Sequence, residues 1–409
     1  MIARRLLLAA GGGGSFDAVD EPVLYVLING QNGDGEYKVG LGVRTDGVYA
    51  DATVVIEKGD PGAWNDDHVK DPAWIAGYAD APFGALLSGY DGTKYQPGLY
   101  EADAPDGPWV EVAGPILTVG SGGSIDDAGI LFPVPLYEPA DTGNECKLWY
   151  GANDGTTLRI AYASGPTWTS LTKHGTVIYI GAGGTFSDEG VLPMCVVKDG
   201  ATYNLFGGGR QGTTVPRWQG ALWTFTDPLG TITPASNPIL LARFNDGAVS
   251  VVPTSDVTTG ATTVQLSDSS LFNVGEPVVI ADGDTTAEVF YIVSIDSSTQ
   301  VTLDHAVVGN FTGGGKVFRP FAFNSVLPRT VRRIPGGGYE MFGTPFQPVD
   351  DLTQPASKLW EGSFEWTADE LDGPWTPRYV AGRGLVFPLD GQGAAWHTRS
   401  AENPSVIAA

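Results

Sequence analysis

The sequence predicts an all-β protein whose repeated units close into a ring, with one small β-domain inserted, and three observations carry that prediction. A short apolar run containing a proline recurs five times: Asp71-Pro72-Ala73-Trp74-Ile75, Leu131 to Tyr137, Val191 to Val197, Val326 to Val331 and Glu402 to Ile407. Pro72 and Pro133 are 61 positions apart, and Pro133 and Pro193 are 60 apart, so a unit of that size repeats. The 57 glycines and 29 prolines punctuate short runs rich in Val, Ile, Thr, Tyr and Trp, with no amphipathic helical pattern of useful length between them. The two ends also complement each other: the first hairpin lacks a proline-bearing strand, and the last proline-bearing strand has no partners after it.

Residues 1 to 21 open with Arg4-Arg5-Leu6-Leu7-Leu8 and run into Gly11 to Gly14. The apolar run is too short for a secretory signal or a membrane span. It reads as a retained anchor, an apolar peg on a glycine hinge that docks on another protein, with a frayed terminus as the alternative. Residues 22 to 248 then form the first part of the ring. Val23 to Ile28 and Tyr37 to Val43 flank a glycine-rich turn and read as a hairpin.

The unit beginning at Ile130 shows the pattern most fully. An inner strand is followed by Lys147 to Tyr150, Leu158 to Ser164 and the turn Gly165-Pro166-Thr167-Trp168. Asp106-Gly107-Pro108-Trp109 and Asp372-Gly373-Pro374-Trp375 repeat the outer-turn signal, and their tryptophans are assigned to packing between units. Pro193 and Pro328 are 135 positions apart, and the excess falls on strand-like runs between turns at 249 to 319, the inserted β-domain. Residues 320 to 409 complete the ring. Counting proline strands gives a five-bladed β-propeller closed by strands from both ends, an arrangement that removes exposed sheet edges.

With 409 residues the chain is large for one simple core. Its net charge of -24 argues against nucleic acid or an anionic membrane as partner. Arg329, Arg332 and Arg333 form the one downstream basic cluster and are expected to alternate between wall and solvent. Cys146 and Cys195 match no zinc motif and read as buried thiols, a single bridge remaining open.

Three acids stand at or before the first three inner strands: Asp71, Asp127 beside Asp126, and Glu189 beside Asp188. In a propeller these starts converge on the axis, where two carboxylates about 6.5–9.5 Å apart can invert a glycosidic bond, one activating water and one protonating the leaving oxygen. A third acid nearby would raise the donor's pKa. Ordinary turn chemistry is the competing account of Asp-Pro and Asp-Gly sequences. Trp64, Trp74 and Trp218 lie near loop or inner-strand starts, where they either stack on sugar faces or pack the core. His68 is near the same funnel.

Val69-Lys70-Asp71-Pro72, Ser124-Ile125-Asp126-Asp127 before Gly129 to Pro133, and Asp188-Glu189-Gly190-Val191-Leu192-Pro193 with Lys198-Asp199-Gly200 resemble the three acidic motifs of the five-bladed propeller glycosidases, glycoside hydrolase family 43 and its arabinanase, levansucrase and invertase relatives. The resemblance implies Asp71 as general base, Asp126 or Asp127 as the tuning acid and Glu189 as general acid. It also implies a central cation, calcium, near His397, although the residues around His397 depart from the family pattern. The opening Arg-Arg-Leu-Leu-Leu with polyglycine, and Val274 to Ile280 with Val293 to Leu303, are similar to tailed-bacteriophage virion proteins and their small β-modules. This second resemblance implies a structural protein of the virion, a tail fibre, spike or capsid-attached component. Residues 1 to 21 would contact other virion proteins, the propeller would be oligomeric in the assembly, and its funnel would recognise or hydrolyse host surface polysaccharide. A silent decoration protein and a free inverting hydrolase are the alternatives.

Overall fold

The computed structural model describes residues 23–31, 36–45, 48–49, 52–78, 81–211, 217–234, 239, 250–270, 272, 274, 277–281, 287–311, 316–318, 323–348, 364–373, 375–378 and 400–408. Every regular element among them is a strand. The first four are β1 (Leu24–Gln31), β2 (Tyr37–Thr45), β3 (Val48–Tyr49) and β4 (Thr53–Ile56). Three antiparallel units follow. They comprise β5 (His68–Trp74), β6 (Phe83–Tyr90), β7 (Tyr95–Ala102) and β8 (Val110–Ala113); β9 (Gly129–Tyr137), β10 (Cys146–Asn153), β11 (Leu158–Gly165) and β12 (Thr172–Ile178); and β13 (Gly190–Asp199), β14 (Thr202–Gln211), β15 (Arg217–Phe225) and β16 (Thr233–Pro234). Single parallel bridges, Tyr95 to Gly129 and Leu158 to Gly190, join the three into one curling twelve-stranded sheet.

Next come β17 (Ser250–Val251), β18 (Thr263–Gln265), β19 (Pro277–Ala281), β20 (Ala287–Ser297), β21 (Gln300–Leu303) and β22 (Lys316–Phe318), which form a separate sheet inside 249–319. A core of its own, including Val264, Leu266, Phe290, Ile292 and Phe311, fills it. The chain ends with the sheet of β23 (Phe323–Arg333), β24 (Tyr339–Pro348), β25 (Phe364–Ala368) and β26 (Thr376–Arg378), then β27 (Ser400–Ala408), which pairs antiparallel with β1.

The recurring prolines mark a register device. Proline has no N–H for a ladder, so it falls where a strand bulges. In β5, Asp71 and Pro72 stand opposite one residue of β6; in β9, Phe132 and Pro133 stand opposite one residue of β10. The extra residue is Met194 in β13, Arg329 in β23 and the pair Asn403-Pro404 in β27. Asp71 and Phe132 adopt φ of 54° and 50°, a left-handed conformation uncommon for residues other than glycine. The bulge also breaks the alternation of side chains that period two predicts for Arg329, Arg332 and Arg333.

Core side chains lie between successive units. Ile75, Leu86 and Leu99 pack on Ile130, Leu148 and Tyr150, while Val134, Trp149 and Tyr162 pack on Val191, Leu205 and Trp223. Each such side chain stabilises the fold by about 1.5–3 kcal/mol on burial. The turn tryptophans join this packing: Trp109 lies 5.4 Å from the Trp74 ring, and Trp375 meets Phe206 edge-on at 6.3 Å. β27 is fastened on both sides. Trp74 donates its backbone N–H to Ser405 Oγ at 2.9 Å and its indole N–H to Ser405 O at 2.8 Å, and Thr330 Oγ1 donates to Pro404 O at 2.9 Å.

Candidate functional site at the ring axis

Residues of five strands, β5, β9, β13, β23 and β27, line one cavity of about 340 Å³. Its lining begins at the bulges, with Asp71, Phe132, Met194, Arg329 and Pro404, and ends at Ala76, Leu136, Val196, Arg333 and Ala408. The bulge residues are mostly buried, whereas Ala76, Arg333 and Ala408 are exposed. The cavity therefore opens where the inner strands end. On the other side of the bulges Leu192, Met194 and Leu327 pack with Phe132, Leu158 and Trp218 and fill the axis.

Among the sequence-predicted acids, Asp71 alone lines this cavity. Its backbone N–H donates to the buried Asn29 Oδ1 at 2.8 Å. Asp127 serves a turn: its Oδ2 accepts the Gly123 N–H at 2.5 Å. Asp66 accepts from Gly62 and Asp188 from Gly184 in the same way, at 2.6 and 2.7 Å. Gly62, Gly123 and Gly184 each have φ between 85° and 90°, so the same glycine turn recurs before three inner strands. Asp126 is buried beneath that turn, where it accepts from Gly120 N and Ser124 Oγ and pairs with Lys173 Nζ at 2.5 Å. Glu189 leans towards β14, 3.6 Å from Arg210 Nε. Counting from the bulge, the counterparts of Asp71 in the next two inner strands are Phe132 and Met194. Asp126, Asp127 and Glu189 are not among the residues that line this cavity.

The predicted sugar-stacking rings divide. Trp64 is wedged where a Cβ on Gly89, Gly98 or Gly114 would come within 2.1–2.3 Å of its ring, and its Nε1 donates to Glu111 at 2.9 Å. Trp218 lies over Gly190 and Gly208 in the axial apolar cluster, and Trp74 forms part of the cavity wall. His68 sits at the end of the ring where β5 begins, among Tyr37, Tyr90 and Tyr95 at ring-centroid distances of 5.4, 4.9 and 5.5 Å. Its Nδ1 is 3.0 Å from Asp67 and its Nε2 is 2.9 Å from the Tyr95 hydroxyl. Burial, followed by the Lys70 charge, pushes the imidazole below its ordinary value. Lys70 Nζ lies 4.4 Å from the centre of the Tyr95 ring. Sequence reasoning missed Lys70 and the three tyrosines, which come from three strands. The available signal was the hairpin turn Asp91 to Lys94 flanked by Tyr90 and Tyr95.

His397 and residues 1–21 lie outside the described residues. Among those described, no group of three His, Cys, Asp or Glu side chains could hold a metal ion. The cavity sets one carboxylate, Asp71, against three guanidinium groups, a poor match for calcium, which takes 6–8 oxygen ligands.

No protein-family profile and no curated protein matches the chain. Several solved structures are similar to it. An exo-1,5-α-L-arabinanase from a bovine ruminal metagenomic library is 12% identical, covering 89% of this chain and 95% of its own, with a TM-score of 0.46. A protein described as a glycoside hydrolase is 14% identical over 73% of this chain and 88% of its own, with a TM-score of 0.44. A family 117 glycoside hydrolase from the marine bacterium Zobellia galactanivorans is 13% identical over 76% and 87%, with a TM-score of 0.40. Likeness at this level decides nothing about chemistry, which has to come from this chain's own residues.

Proposed function

We propose that the chain is a five-bladed β-propeller, closed by the pairing of its terminal strands, that recognises glycan without hydrolysing it. One observation carries this reading. Phe132 and Met194 occupy the bulge positions that correspond to Asp71, while Asp126, Asp127 and Glu189 are engaged in turns and ion pairs. An inverting hydrolase needs two carboxylates with room for water between them, and a single carboxylate among apolar and cationic neighbours serves binding instead. The recognition surface is the end of the ring where β5 begins. Tyr37, Tyr90 and Tyr95 are half-buried there, and together with His68 and Lys70 they offer ring faces and hydrogen-bonding groups of the kind sugar binding uses.

In this reading the protein is a virion component, attached through residues 1–21 and carrying the propeller towards host polysaccharide; the support is the opening sequence and the resemblance of the insert. A glycan array, with adsorption competition by the purified chain, tests it. Binding that Tyr95→Ala abolishes and Asp127→Asn preserves is the expected result. Absence of any glycan binding favours a decoration protein, and release of reducing sugar by the wild type refutes the non-hydrolytic assignment.

A further inference from the structure

The axial cavity opens on the face opposite the tyrosine cluster, and the glycan reading makes no use of it. Its volume of about 340 Å³ is at the small end of ligand pockets, which run from about 300 to 1,000 Å³. Pro72, Pro133, Pro135, Pro193 and Pro404 all line it, and none offers a backbone N–H. Hydrogen-bond donors for a ligand must therefore come largely from side chains, and three arginines are present. Arg329, 7% exposed, stands at the floor with its guanidinium carbon 4.9 Å from the centre of the Phe132 ring and Nη1 2.7 Å from Met194 Sδ. Arg332 is committed to Glu340. Arg333, at the mouth, donates to the Tyr339 hydroxyl at 3.1 Å and meets Asp199 at 3.4 Å, the latter a pair more than half exposed that water and salt screen, so its remaining guanidinium N–H groups can turn to a ligand. Asp71 places a single acceptor carboxylate at the floor.

We propose that this cavity binds a small hydroxylated monocarboxylate, about one sugar ring in size, whose carboxylate is held by arginine and whose hydroxyls face Asp71. Guanidinium recognises carboxylate through paired donors, and a ring-sized body fills the space between Trp74, Phe132 and Met194. The guanidinium groups of the lining sit within a chain of net charge -24, so any preference for a carboxylate comes from these local donors and not from the overall field.

Calorimetric titration of the full chain with sodium D-glucuronate, D-glucose and inorganic phosphate tests the proposal. Glucuronate should bind saturably, with glucose and phosphate each at least about ten-fold weaker, the low end of what a hydrogen bond to a charged group contributes. Arg333→Ala should weaken glucuronate by a similar factor, and Ala76→Trp, a change at an exposed position on the mouth, should abolish binding. Circular dichroism of both variants shows whether they are folded. Tyr95→Ala should leave glucuronate binding unchanged, which separates this cavity from the glycan surface. The proposal is overturned if glucuronate does not saturate the wild type, if phosphate competes equally, or if folded Ala76→Trp binds as well as the wild type.

Discussion

Glu340→Gln should destabilise the protein by about 3 kcal/mol at pH 7, because it breaks a buried ion network that ties the first hairpin to the β23–β26 sheet. Arg44 of β2 places Nη1 2.6 Å from Glu340 and 3.4 Å from Glu365, and Arg332 Nη2 meets the other Glu340 oxygen at 2.5 Å. Glu340 is 0% exposed and Arg44 1%. At an effective dielectric of about 20, unit charges about 3 Å apart attract by about 5–6 kcal/mol. Desolvation offsets much of that, and removing one partner of a buried pair costs about 3–5 kcal/mol because the other charge is stranded.

The network also sets an acid limit. Burial raises the Glu340 pKa, but its hydrogen bond with Glu365 and the charges of Arg44 and Arg332 outweigh that and hold the carboxyl at about 2. A folded-state pKa below the unfolded one gives stability that is complete above the ordinary glutamate value and is lost as pH falls towards 2. Urea unfolding followed by tryptophan fluorescence, at pH 7 and at intervals from pH 5 to 2.5, measures both effects. Equal urea midpoints for wild type and Glu340→Gln at pH 7, with parallel acid profiles, would refute the reasoning.

His68 is held below its ordinary pKa, so its contribution to stability is present above about pH 6.5 and fades as pH falls; His68→Phe should flatten the thermal-melting profile between pH 7 and 5. Gly98→Ala would drive a methyl within 2.3 Å of the Trp64 ring and should cost about 1–3 kcal/mol in chemical denaturation, with a blue-shifted or broadened tryptophan spectrum. Asp127→Ala and Asp188→Ala each remove one turn-capping bond and should cost about 1 kcal/mol in melting experiments, with no change in glycan binding; a loss of binding without a loss of stability would return these residues to the site. At Asp71, where φ is 54°, Asn and Gly should preserve stability and Ala should lose about 1–2 kcal/mol; if Asn is as damaging as Ala, charge and not backbone conformation selected the aspartate.

The repeat was legible because proline is an unambiguous mark. Every proline-bearing run became a strand that lines the cavity, and the insert showed itself as a break in that spacing. The turn tryptophans were legible for a similar reason, since a large ring beside a Gly-Pro turn has the space between sheets to fill. The acids were not. Asp127 and Asp188 stand before an inner strand exactly as a functional acid would, and sequence alone does not show that a glycine four residues earlier donates its N–H back to them. Trp64 posed the same difficulty, because the three glycines that receive its ring are dispersed from 89 to 114. The tyrosine cluster around His68 depends on cross-strand register, which no single segment encodes.

Register also decides which chemistry the axis can support. A bulge turns one or two residues of each of these five strands out of the ladder, and four of the bulges contribute a functional or large apolar side chain to the floor. Those positions are filled by an acid at Asp71, an aromatic at Phe132, a thioether at Met194 and a cation at Arg329. Proton transfer to a leaving group and activation of water on opposite faces of one ring need two carboxylates across that floor. Phe132 and Met194 instead stack on and accept from Arg329, holding the guanidinium at the axis. Cys195, beside them on the wall, has its thiol pushed up to about 12 by burial, which keeps it protonated at neutral pH. Five strands thus meet around one cavity whose floor carries Arg329 beside Phe132 and Met194, while the hydroxyl-bearing aromatic cluster lies where β5 begins, away from the cavity mouth.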